Sequence, residues 1–172
     1  MAVRNVNARR GLTPGEIALG REAFGERAPL DRVTFVEGAA CNPIARAAFR
    51  NGNGAITLRR TIYFAPAYYQ PDFSVGKAAA KGLLIHELAH VWQYERMGTG
   101  WFLARYAREF AAVGFKAWRM YEYEVGRTAF RGAMLEAQAE MAGNYAEAKA
   151  EGDAGKMALV AVNLSGSELF GL

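Results

Sequence analysis

Cysteine, histidine and proline are scarce in this sequence: 172 residues hold one cysteine, Cys41, two histidines and five prolines. A single cysteine excludes an internal disulfide, so the fold must rest on its core, and synthesis in a reducing compartment is expected. Long apolar runs are also missing. The longest aliphatic stretch, Ala158 to Val162, has five residues, against the roughly 20 that a bilayer-spanning helix needs. Neither a membrane span nor a signal-peptide core is expected, so the chain reads as cytoplasmic as synthesised. Strong charge of one sign is lacking too. Lys and Arg number 21 and Asp and Glu 17, leaving +4 spread along the chain. Phosphate binding needs many basic contacts, so a nucleic-acid partner is not expected. The densest basic segment, with Arg4, Arg9 and Arg10, reads as a flexible, solvated tail over residues 1–12.

What the sequence does contain is ordinary globular material. Apolar residues make up 52% and charged residues 22%, and three Trp, eight Tyr and ten Phe can build a sizeable core. Residues 13–172 are expected to form one domain of α+β class. Thr13-Pro14-Gly15-Glu16 is a helix start, with Thr13 as N-cap and Glu16 three residues on as its capping-box partner. The helix should run to Phe24 and stop at Gly25. Arg32 to Val36 reads as a strand. Ile44 to Phe49 reads as a helical turn or two behind Asn42-Pro43. After the turn signal Asn51-Gly-Asn-Gly54, Ala55 to Phe64 is one strand or a tight pair. From Ser74, a candidate cap, the pattern becomes helical, and Gly98 ends that helix. Trp101 to Val113 is helical again. Ala117 to Val125 alternates and suggests a strand or an extended connection. Met134 to Lys149, rich in Ala and Glu, is the best intrinsic helix, and the last residues carry a weaker helical pattern.

Both histidines fall in one motif, Leu84-Ile-His86-Glu87-Leu-Ala-His90-Val91. On a helix, positions i and i+4 lie about 6 Å apart along the axis on one face, so two imidazoles can meet one metal ion. Zn2+ accepts imidazole and, with three protein ligands, keeps a fourth position open for water. Glu87 can then act as general base toward that water. A third ligand is required. Gln93 and Arg96 stand where a longer histidine motif would need Gly and His, so a downstream carboxylate is expected. The candidates are Glu109, Glu122, Glu124, Glu136, Glu140, Glu147 and Asp153. Glu136 and Glu140 stand out: four apart on the best helix, one can bind metal while the other holds a ligand histidine by its second nitrogen.

Leu12-Thr-Pro-Gly-Glu-Ile17, Phe24-Gly25, Leu30-Asp-Arg-Val33, Ala55-Ile-Thr57, Thr61-Ile-Tyr-Phe64 and Gly82 to Gln93 occur in that order. In these blocks, across roughly residues 11–95 and again at 136–145, the chain resembles the metallopeptidase-like eCIS core domain of extracellular contractile injection systems. It is also similar to Vgr-related proteins of Gram-negative bacteria. The resemblance implies a gluzincin-type, zincin-like fold: a small, mostly antiparallel sheet packed on the motif helix, with a helical C-terminal half. It implies His86, His90 and Glu136 as zinc ligands, with Glu140 behind them in the place of an Asp one methylene shorter. It implies a zinc-dependent peptidase acting on a peptide or protein, as a toxin or processing factor of a contractile injection or type VI apparatus through which it is exported. The alternative is a non-catalytic domain of the same fold that binds a component of such an apparatus. Tyr121 or Tyr123 is a candidate oxyanion donor. Thr61 to Phe64 is a candidate edge strand for pairing with substrate. Trp92 is expected in the core, and Cys41 as an inert residue.

Overall fold

The computed structural model describes residues 8–172. Four strands, β1 (Arg9–Arg10), β2 (Thr34–Glu37), β3 (Ala55–Leu58) and β4 (Thr61–Phe64), form one sheet. Six helices accompany it: α1 (Pro14–Phe24), α2 (Pro43–Arg50), α3 (Ala78–Met97), α4 (Thr99–Ala112), α5 (Leu135–Glu151) and α6 (Ala154–Leu164). The fold is α+β, with the strands in the first half and the long helices in the second.

The sheet order is β1-β2-β4-β3. The outer pairs are antiparallel and the central pair, β2 with β4, is parallel, so the sheet is mixed. Ala55 to Phe64 is a tight hairpin that turns on Arg59 and Arg60. Its second strand, β4, lies inside the sheet, which corrects the expectation that Thr61 to Phe64 is an edge. The edge is β3. Side chains alternate across the sheet as the strand period of two requires. Phe35, Ile62 and Phe64 enter the main core with Leu84, Leu88 and Val91 of α3. Val36 and Tyr63 face the other way, onto Ala45 of α2. Phe35, Phe64 and Phe73 pack as a cluster with ring centroids 4.7–5.8 Å apart, and Trp92 is buried against Phe24 and Phe130.

The α1 capping box is complete. Glu16 N–H donates to Thr13 Oγ1 at 3.2 Å, and Thr13 N–H donates to Glu16 Oε2 at 2.8 Å. Glu16 is wholly buried and also receives both Arg10 guanidinium nitrogens at 2.7 Å and the Phe73 N–H at 2.8 Å. Arg10 continues to Tyr69 Oη and the Gln70 carbonyl. The part of the expected tail at Arg9 and Arg10 is therefore built into the sheet, because Arg10 neutralises a buried carboxylate. Arg4 lies outside the described residues.

Two further expectations shift. Ser74 belongs to a 3-10 turn, Phe73–Val75, capped by Asp72, and α3 begins only at Ala78. Ala117–Tyr121 is a 3-10 helix rather than a strand. It buries Met120 completely and brings Tyr121 to the motif helix.

Candidate metal centre

Helix α3 places His86 and His90 one turn apart, with ring centroids 5.0 Å from each other. Helix α5 packs along α3 and delivers Glu136 from its first turn. Glu136 Oε2 lies 3.0 Å from His90 Nε2 and 3.4 Å from His86 Nε2. All three residues are buried, and one ligand atom from each lies within 4.8 Å of the others. Tetrahedral zinc with bonds of about 2.0–2.1 Å sets its ligand atoms about 3.3 Å apart. The two nitrogen–oxygen separations are close to that edge and the third pair of ligand atoms lies within 4.8 Å, so the donor set is one that could hold a zinc ion. Among the described residues it is the one grouping of three such side chains.

The other carboxylates are placed elsewhere. Glu140 Oε2 lies 3.2 Å from His86 Nδ1, on the far side of the ring from Glu136. Glu109 accepts from Arg105 and from the Leu135 N–H, so it anchors the start of α5. Glu124 pairs with Arg127, Asp153 caps α6, and Glu122 is exposed. Glu147 lines the cleft without reaching the triad.

Each histidine is held at Nδ1, which leaves Nε2 aimed inward. Glu140 holds His86. His90 Nδ1 lies 2.9 Å from Gln93 Oε1, and the Gln93 amide donates to the Leu135 carbonyl and to Gln138 Oε1. Gln138 in turn donates to the Phe130 carbonyl. Gln93 escaped the sequence reading although its signal was present: a residue three after His90 lies on the same helix face. Thr57 on β3 escaped it as well. Its hydroxyl is 2.7 Å from Glu87 Oε2 and 3.2 Å from the Glu87 carbonyl, a contact between residues 30 apart that no local pattern encodes.

Electrostatics favour a cation here. Burial alone would lower the His86 pKa, but hydrogen bonds to Glu136 and Glu140 and the Glu87 charge outweigh it and raise the pKa to about 10. His90 is raised against its burial by Glu136 in the same way. Burial would raise Glu136, yet the two imidazoles hold it far below the usual carboxylate range. The pocket attracts positive charge, and a divalent ion satisfies it as a proton does.

Aromatic residues close the site. Tyr121 stacks on His86 at 5.8 Å, and Phe102 meets His90 edge-on at 6.2 Å. Burial, reinforced by Glu136, raises the Tyr106 and Tyr121 hydroxyls well above their ordinary range, so both remain protonated donors. Tyr121 lines the cleft. Tyr123 instead accepts a hydrogen bond from Asn144. The cleft has two lobes that meet over His86 and Glu87, one of about 920 Å3 and one of about 220 Å3.

The sequence model of the eCIS core domain matches residues 17–98. That span includes His86, Glu87 and His90 and stops short of Glu136. No curated protein matches the chain. Among solved structures, the effector domain of Pseudomonas aeruginosa VgrG2b is similar, with a TM-score of 0.66 and 22% sequence identity. The similarity covers 96% of this chain and 87% of that domain, so the two share a fold. Among the described residues, no helix is long and apolar enough to cross a membrane.

Proposed function

We propose that this chain is a zinc-dependent peptidase of zincin, gluzincin-like type. It serves as an effector or processing factor of a contractile injection or type VI apparatus. The observation that carries the reading is the meeting of Glu136 Oε2 with both histidine Nε2 atoms beside Glu87, in a cleft open to a peptide. The apparatus is suggested by the eCIS core match and by the fold shared with a VgrG2b effector domain.

His86, His90 and Glu136 would hold the zinc ion, which when bound would serve as a Lewis acid and make a water more acidic, to a pKa of about 7. The remaining roles fall to this chain's own groups. Glu87, oriented by Thr57, takes a proton from the attacking water and returns it to the leaving amine nitrogen. Tyr121 donates a hydrogen bond to the oxygen on which negative charge develops. Glu140 and Gln93 hold the imidazoles in the orientation that presents Nε2. The outer edge of β3 offers main-chain groups to an extended substrate.

The test is peptide hydrolysis by the purified, zinc-assayed protein, with and without chelator and with Glu87→Gln. Turnover should be lost in both cases, while Glu87→Gln should keep its zinc. A protein that holds zinc and cuts nothing across a broad peptide library would instead be a binding domain for an apparatus component.

A further inference from the structure

The two lobes of the cleft differ in chemistry. The smaller lies toward the C-terminal half of α3, and Ile44, Leu58, Tyr94, Phe102 and Leu103 wall it above the triad. Among the described residues, its ionisable groups besides tyrosines are His86, Glu87, His90 and Glu136. The larger lobe lies toward the N-terminal half of α3 and carries Lys116, Glu140, Asn144 and Glu147. At about 220 Å3 the apolar lobe is below the roughly 300–1,000 Å3 of a whole small-molecule site. It has room for one branched aliphatic or aromatic side chain. Ile44 and Leu103 stand at its mouth with 56% and 52% of their surfaces in water, so an apolar side chain entering there removes apolar surface on both sides of the contact.

Strand β3 sets the direction of a bound chain. It runs from Ala55, which lines both lobes, to Leu58, which lines only the apolar one. Among the described residues, no strand pairs with its outer edge. Antiparallel pairing is the more stable ladder. A peptide paired in that sense with β3 runs from Leu58 toward Ala55, so residues before the cut lie over the apolar lobe and residues after it lie over the larger, mixed one, where Leu83, Phe115 and Trp118 stand beside the charged groups.

We propose that the lobe formed by Ile44, Leu58, Tyr94, Phe102 and Leu103 is a specificity subsite. It selects an aliphatic or aromatic side chain on the N-terminal, acyl side of the scissile bond. This rests on the peptidase reading of the same cleft. An acidic side chain there would lose its water among these apolar walls and is rejected.

Two assays on zinc-quantified preparations test the subsite. In the first, wild type digests a random peptide library and the cut sites are mapped by mass spectrometry. In the second, zinc-loaded Glu87→Gln retains peptides from the same library, and the retained peptides are sequenced. Leu, Ile, Met or Phe should be enriched at least about 10-fold over Ala and Asp at one acyl-side position. Leu103→Asp, a change at an exposed position, should erase that enrichment at unchanged zinc content. Cleavage with no apolar preference, or with the preference on the amine side, overturns the subsite and leaves the peptidase standing. No cleavage, but retention of peptides sharing one apolar residue and loss of that retention in Leu103→Asp, overturns the peptidase and keeps the lobe as a side-chain site. Neither cleavage nor retention overturns both.

Discussion

Gly143 on α5 meets Gly82 on α3 so closely that a side chain at Gly143 would collide with backbone and one at Gly82 would be tightly crowded. A Cβ at Gly143 would lie 2.8 Å from the Gly82 carbonyl oxygen and 3.2 Å from His86 Cβ. At Gly82 it would lie 3.1 Å from the Gly143 oxygen. This close approach sets the distance between the helix that carries the histidines and the helix that carries Glu136. Gly143→Ala gains about 1 kcal/mol of helix propensity, but overpacking against backbone costs about 1–3 kcal/mol. The net expectation is a less stable protein with weaker zinc binding, measured by denaturant titration and chelator competition. Gly155→Ala is the control. Its Cβ would meet only Asp153 Oδ1 at 3.5 Å, so that change should be neutral or stabilising.

The two acidic residues of α5 should separate in metal affinity. Glu136→Ala removes a donor atom and should abolish tight zinc binding. Glu140→Ala and Gln93→Ala free a histidine Nδ1 and should each weaken binding about 10- to 100-fold. Competition with a chelating dye measures all three. If Glu140→Ala proved the more damaging, the assignment would reverse.

Thr57→Val keeps the shape of the side chain and deletes the donor to Glu87. Zinc content should hold, and kcat should fall by about 10²-fold, the scale of a misplaced reacting group. Thr57→Ser should restore most of the activity.

Arg10→Ala leaves Glu16 buried without its cation. Breaking a buried pair costs about 3–5 kcal/mol. Arg10 is one-fifth exposed, so a loss near about 3 kcal/mol is expected in thermal or urea unfolding. An unchanged midpoint would refute the lock.

Stability of the protein stripped of metal should depend on pH through His86. Its folded pKa, about 10, exceeds its ordinary 6.5. The contribution is therefore fully present below pH 6.5 and is lost as pH rises toward 10. Unfolding in chelator should show a falling midpoint over that window, smaller in Glu140→Gln. Zinc displaces these protons, so metal affinity should rise with pH over the same range.

These residues also mark what local sequence can carry. Thr13 with Glu16, and His86 with His90, are three and four residues apart, and their geometry follows from the helix alone. The hairpin at Arg59-Arg60 gave no glycine or asparagine signal, although Arg59 takes a left-handed φ of 59°. The helix from Ala117 to Tyr121 reads as extended because Trp118 and Met120 flank Arg119, and Tyr121, Tyr123 and Val125 then alternate with Glu122 and Glu124. Its conformation depends on burial of Met120 and on the stacking of Tyr121 upon His86, contacts that only the folded chain creates. Gly82 with Gly143, Thr57 with Glu87, and Arg10 with Tyr69 are likewise pairs joined by tertiary packing.

His90 and Glu136 are 46 residues apart in the chain, and the segment between them leaves the site and returns to it. That segment includes α4 and the Ala117–Tyr121 turn, and it supplies Phe102, Leu103, Tyr106, Trp118 and Tyr121 to the walls of the cleft. A metal ion held by both His90 and Glu136 would be a clasp on a ring. Because the folded chain alone presents the assembled site, binding there would stabilise the folded state and offset the cost of closing so long a loop. Metal supply would then govern the shape of the binding surface as well as its reactivity: with the clasp open, the outer wall of the cleft would lose one of the ties that hold it in place.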